Sequence, residues 1–246
     1  MKTLLLAFDA NHPSASATLV AKDLAKKLAA SLTKARISDV EMIDKQIKVL
    51  ASVGGGDISG FSEKEKSLDY HLQTKDITRF LIEKEVDLVV CDDTLKCTGK
   101  ILHYSRCPVL VIPSTYRFNG FHQISYIADI RYSQASIINH LHRFARAYKA
   151  NLALSHISLE DIPHPSEDYI EMLFADLIGQ GKHRSIRLNN IRERDVNKAL
   201  DVLIHAMGCD LVALTNRQFH FDELSSNGTI NHLVSKLSIP VLVFPG

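Results

Sequence analysis

This 246-residue sequence lacks any run of like charge and any long apolar stretch. Lys and Arg number 29 against 28 Asp and Glu, a formal net charge of +1, so the basic patch of a nucleic-acid or membrane-surface binder is missing. Apolar runs such as Leu4–Phe8 and Val109–Ile112 are far shorter than the ~20 residues needed to cross a bilayer. One Lys and a short Leu stretch meet Asp9 before any small-residue cleavage pattern, so a first strand is expected there rather than a signal peptide. The four cysteines, Cys91, Cys97, Cys107 and Cys209, form no CxxC pair. Buried, reduced thiols of a cytosolic protein are the expectation, with a regulatory Cys91–Cys97 disulfide as the alternative. No Walker A loop, G-x-S-x-G elbow or paired-carboxylate motif is present. The 12 histidines show no zinc spacing, and His140 and His142, two apart on a helix, point to different faces. No metal site is expected. With 46% hydrophobic and 23% charged residues and no low-complexity tract, the chain has the composition of a globular protein with a sizeable core.

What is present is an internal repeat. Thr3–Asp9 and Ile124–Asp129 are apolar runs ending in Asp, offset by 120 residues (129 less 9). At that offset Ala15, Ala25, Leu32, Ile37 and Ser38 face Ala135, Ala145, Leu152, Ile157 and Ser158 without a gap. The ends agree too: Asp87-Leu-Val matches Asp210-Leu-Val, and Pro108-Val-Leu-Val matches Pro240-Val-Leu-Val. Those offsets are 123 and 132, so the intervening segment is nine residues shorter in the first half. Two units are expected, 1–118 and 119–246.

In the second unit, strands are expected over Ile124–Ala128, Leu152–Ile157, His183–Leu188, Leu211–Leu214 and Val241–Phe244. Helices are expected over Ser133–Ala150, Ser166–Ile178, Glu193–Met207 and Thr229–Leu237. Alternating strands and helices with unbroken aliphatic strands indicate an α/β fold: two tandem doubly wound parallel five-stranded sheets, Rossmann-like, related by a pseudo-twofold. Val109–Ile112 and Val241–Phe244 would otherwise be exposed edges, and are expected to pair antiparallel in an intramolecular pseudo-dimer. In the first unit, Gln46–Val53 reads as a third strand, Gly54–Gly60 as a solvated loop and Leu72–Glu85 as a helix. Ser14 and Ser16 are expected as helix N-cap residues.

A strand ending in Asp, an Asp-Leu-Val strand, and Gly-Thr opening a helix that leads to Pro-Val-Leu-Val together resemble the universal stress protein family, UspA type, in tandem form. The resemblance implies an adenine-nucleotide site built from the Asp after the first strand, backbone groups of the second strand and a loop G-x2-G-x9-G-[ST]. In this sequence those positions are Asp129, Ile157, Thr215, Gln218, Gly228 and Thr229, with Arg131, Arg217 and His220 near the mouth. The loop spacing is intact, but the first two glycines are Thr and Gln, so backbone N–H groups there lose the close approach that glycine allows. Gly228-Thr229 retains the helix N-terminus. In the first unit Asp9 and Ile37 match, but the nine missing residues are the loop itself, and Asp9 is expected as an N-cap or turn residue. The expected function is that of a cytoplasmic, non-enzymatic small-ligand-binding or regulatory protein of the stress response. It has no obligatory cofactor, ATP or AMP held weakly if at all, and at most one nucleotide or anion site. Alternatives are a weak ATPase or nucleotide-processing enzyme using Asp222 or Glu223, or a structural module without ligand. A further homodimer stays open.

Overall fold

The computed structural model describes residues 1–9, 13–38, 69–158, 163–179, 186–193, 195–225 and 229–246. The chain begins with β1 (Thr3–Phe8), α1 (Ala15–Leu28) and β2 (Ser31–Ser38). After 30 residues outside the description come β3 (Asp69–Gln73), α2 (Ile77–Glu83), β4 (Leu88–Asp92), α3 (Thr98–Tyr104) and β5 (Val109–Ile112). Then follow β6 (Gln123–Ala128), a 3-10 turn (Ile130–Tyr132), α4 (Ala135–Tyr148), β7 (Asn151–Ile157), α5 (Glu167–Ile178) and β8 (Ile186–Ile191). The remainder is α6 (Val196–Asp201) running into a π turn (Val202–Ala206), β9 (Leu211–Thr215), α7 (Phe219–Ser225), α8 (Ile230–Leu237) and β10 (Val241–Phe244).

Where two five-stranded sheets were expected, the strands form one ten-stranded sheet in the order β3-β2-β1-β4-β5-β10-β9-β6-β7-β8. Neighbours are parallel except at the centre, where β10 pairs antiparallel with β5, Val241 opposite Val111 and Val243 opposite Val109. The apolar edges expected to meet do meet, and the pairing makes the two sheets continuous. One hydrophobic cluster covers each face, and both draw residues from strands on either side of the β5–β10 pair. Leu4, Leu5 and Leu6 are all 0% exposed, because a parallel strand covered on both faces has no solvent side. Each such side chain contributes roughly 1.5–3 kcal/mol by its burial.

Local signals explain the boundaries. Ser14 caps α1 by accepting from the Ala17 N–H at 3.1 Å, while the Ser16 hydroxyl instead donates to the Ser114 and Tyr116 carbonyls. Helices α1 and α4 both stop at left-handed residues, Ala29 (φ 50°) and Lys149 (φ 55°). The Asp of each Asp-Leu-Val sequence ties its strand to the start of the neighbouring one. Asp87 accepts from the Lys2 and Thr3 amides at 2.5 and 3.0 Å, and Asp210 from those of His122 and Gln123 at 2.8 and 3.0 Å.

Several expected elements shift. Leu72, expected in a helix over Leu72–Glu85, lies in β3, and α2 starts only at Ile77. The strand expected over His183–Leu188 runs from Ile186 to Ile191, with 183–185 outside the described residues, as are Gln46–Val53 and Gly54–Gly60. The helix expected from Glu193 starts at Val196 under an Asp195 cap. Helix α7 was not expected, and it occupies most of the stretch by which the second half is longer. All four cysteines are free thiols, with Cys91, Cys97 and Cys209 buried. Among the described residues no helix is long and apolar enough to cross a membrane, and no group of three metal-ligating side chains occurs.

Candidate functional site

In an open parallel sheet the crevice beyond the strands' carboxyl ends, where strand order reverses, is the natural ligand site. In the second half that point lies between β6 and β9. Asp129 follows β6, Ile157 ends β7 and Thr215 ends β9, so the sheet brings three of the expected residues to one rim. Gln218 leads into α7, and Thr229 caps α8, its hydroxyl accepting from the His232 N–H at 3.4 Å. Gly228 lies outside the described residues.

The polar groups at this rim are engaged within the chain. Asp129, 2% exposed, accepts from the Arg131 N–H at 3.0 Å and Nε at 2.8 Å, and from its NH2 group at the second carboxylate oxygen. Arg131 also reaches the Pro163 carbonyl at 3.3 Å. Burial alone would raise the Asp129 pKa, but the hydrogen bonds and charge of Arg131 outweigh it and hold the carboxyl below its ordinary value. The Ile157 carbonyl accepts from His220 Nε2 at 2.9 Å. His220 is 3% exposed, and burial lowers its pKa, so it stands in the crevice as a neutral donor. Thr215 Oγ1 lies 2.9 Å from the Tyr126 hydroxyl, both buried. Arg217, at φ 59°, turns across to α3, where its guanidinium donates to the His103 carbonyl at 3.3 Å. Of the three cations placed near the mouth by sequence, one is committed to Asp129, one is neutral and one reaches the other half.

Behind Asp129 lies a cluster that the sequence did not single out. His156, 0% exposed, accepts the Ile130 N–H on Nδ1 at 3.1 Å. Burial depresses its pKa to about 4, and with Nδ1 accepting, its proton sits on Nε2, 3.3 Å from Ser158 Oγ. The Ser158 hydroxyl then donates to His164 Nδ1 at 2.7 Å. The contact between Ser158 and His164 carried no local signal, because it joins a strand end to the segment before α5.

In the first half, the described residues at the corresponding strand ends are tied to neighbouring turns. Asp9 accepts from the Lys96 amide at 3.1 Å and so ties the end of β1 to the turn after β4. Asp92, at the end of β4, accepts from the Ser14 amide at 3.1 Å and from the Thr94 amide at 3.0 Å. Three clefts are described elsewhere on the molecule, and none is lined by Asp129, Arg131, Ile157, Thr215, Gln218 or Thr229.

The sheet order and the helices between its strands define a doubly wound α/β protein. No protein-family model matches the sequence, and no curated protein matches it. Among solved structures, the fold is similar to a universal stress protein from Archaeoglobus fulgidus DSM 4304, with TM-score 0.64, 12% identity, and 98% of each chain covered. It is also similar to a functionally unknown protein from Pseudomonas aeruginosa PAO1, with TM-score 0.60 and 13% identity over 100% of this chain and 92% of that one. A third, from P. aeruginosa UCBPP-PA14 and provisionally assigned as a universal stress protein, gives TM-score 0.60 and 14% identity over 100% and 93%. The chain therefore has a universal-stress-type fold, and at these identities the likeness speaks for the fold alone.

Proposed function

We propose that the chain is a tandem universal stress protein of the UspA type. Its units are 1–118 and 119–246, related by a pseudo-twofold through β5 and β10, and it acts in the cytoplasm as a regulatory protein of the stress response rather than as an enzyme. The observation that carries this reading is the match of nearly the whole chain to a universal stress protein fold, through a sheet that continues across β5–β10. At the carboxyl ends of its strands it has at most one small-ligand site, in the second half, for an adenine nucleotide or an anion at the amino end of α8.

Affinity there is low on this reading. A ribose at Asp129 must displace the Arg131 fork, and a base at the Ile157 carbonyl must displace His220. Each exchange returns a buried polar group to an unpaired state, at about 1–3 kcal/mol apiece. The engagement of Asp129, Arg131 and His220 within the chain supports a non-enzymatic role. Native mass spectrometry of the purified chain, with thermal unfolding in ATP, AMP, cyclic nucleotides and sulfate, tests this. A ligand at ~100 times its Kd adds roughly 2.7 kcal/mol of stability. The expected result is no retained nucleotide and a small response only at high ATP; submicromolar ATP binding or steady ATP turnover refutes it.

A further inference from the structure

A cleft of about 210 Å³ opens at the other end of the strands, between the starts of β6 and β7, the edge strand β8, and a roof that includes Leu203 and Met207. Leu203 belongs to the π turn, an irregularity common beside functional sites. A sheet face roofed by a helix is ordinarily apolar. The first half obeys that rule: Leu5, third in β1, and Ala35, fifth in β2, are both 0% exposed, and Tyr70, paired with Ala35, packs edge-on against Phe80 at 4.9 Å. At the same places in the second half stand Ser125, third in β6, Ser155, fifth in β7, and Asn189, paired with Ser155. All three apolar positions have become polar, and they bond to one another. Asn189 Nδ2 donates to Ser155 Oγ at 3.2 Å, and Ser155 Oγ lies 2.7 Å from Ser125 Oγ.

Donor counting sets the direction of this chain. Ser155 is 0% exposed and its proton has no other acceptor among the described residues, so it goes to Ser125. The Ser125 proton is left over, and Ser125 lines the cleft. Arg187 also lines it, exposed and in no ion pair among the described residues. No Asp or Glu is in the lining, and the adjacent Asp210 is held by the His122 and Gln123 amides. Among the described residues the cleft therefore offers hydrogen-bond donors and one unneutralised cation above a buried polar floor.

We propose that this cleft binds a small organic carboxylate. Arg187 takes the carboxylate, the Ser125 hydroxyl donates to it, and a short apolar body rests on Leu203, Met207 and Cys209. At ~30 Å³ per water the cleft holds about seven waters, which suits a short-chain or single-ring acid and excludes a nucleotide. It lies at the amino ends of the strands, opposite the crevice, and so goes beyond the function proposed above.

The test is thermal unfolding of the full chain with butyrate and benzoate, against butanol and benzyl alcohol as neutral counterparts, at matched ionic strength. At least one acid should raise Tm in the millimolar range while neither alcohol does. Arg187→Gln, at an exposed position, should weaken that response roughly tenfold or more. Ser125→Leu, which installs the first half's residue, should abolish it. No response to either acid, equal responses to acids and alcohols, or a response that survives Arg187→Gln overturns the proposal. If Ser125→Leu does not fold, Arg187→Gln and the alcohols decide alone. Any response to sulfate or ATP in the crevice is untouched by Arg187→Gln, so the two sites fail separately.

Discussion

Replacing Arg131 with Met is the most direct trial of the electrostatics at the crevice. The Asp129 side chain is 2% exposed and that of Arg131 17%, so the substitution strands a carboxylate in the interior. Breaking a buried pair by removing one partner costs about 3–5 kcal/mol. The backbone N–H of residue 131 still reaches Asp129 at 3.0 Å and softens the loss, so the low end, about 3 kcal/mol, is expected. For a chain of this size that corresponds to a fall in Tm of roughly 6–12 °C. The pH dependence carries the sign. In the wild type the folded pKa of Asp129 lies below its ordinary value, so its contribution is present above that value and is lost as pH falls through the depressed one. Without the guanidinium, burial acts unopposed and raises the pKa, so the penalty is greatest near neutrality and shrinks on acidification as the carboxyl takes a proton. Urea unfolding from about pH 7.5 down to about pH 5 reads this out. The double variant Asp129→Asn/Arg131→Met should recover most of the loss. A cost below about 1 kcal/mol, or one that grows as pH falls, would refute the account.

Two further outcomes follow from the same site. His220→Phe keeps the ring but removes the donor to the Ile157 carbonyl, and should cost about 1–3 kcal/mol, with faster amide exchange across α7; unchanged exchange there would contradict it. His156 is ordinarily near 6.5 and is held to about 4 in the fold. Its folded pKa is depressed, so its share of stability is full above its ordinary value and lost as pH falls from there toward about 4. His156→Gln should reduce the slope of stability against pH in that window by about one proton, and parallel slopes would exclude this histidine as a source.

Residues whose meaning is set within their own segment were legible in the sequence. Val241–Phe244 matched its expected bounds, because an all-apolar run after Pro240 has no alternative to a buried strand. Thr229 and Ser166 read correctly as helix entries and prove to be N-caps. The β5–β10 pairing followed from an argument about edges rather than from pattern. What escaped depends on contacts distant in the chain. Leu72 lies between His71 and Gln73 with no apolar periodicity to mark a strand, and becomes β3 only because β2 offers its edge, Leu72 opposite Ile37. Likewise nothing local announces that His220 serves the Ile157 carbonyl across 63 residues, or that Tyr126 meets Thr215 across 89. That Asp129, Ile157 and Thr215 stand at strand ends was readable; the hydrogen bonds that engage them within the chain were not.

The central strand pair has a consequence for how the chain can be divided. Residues 113–122 link β5 to β6 without a strand of their own, so a break there removes no rung of the sheet. Each piece would then present one open apolar strand, β5 or β10, whose missing neighbour is the other piece. Asn216, Asn231 and Ser235 add further points of grip, reaching the Leu102 and Leu95 carbonyls and the Asp93 carboxylate at 3.0, 2.8 and 2.6 Å. The two fragments therefore contain the instructions for complementation, and a chain cut at this link would reassemble as a heterodimer. Where either fragment was in excess, its open strand would seek a copy of itself.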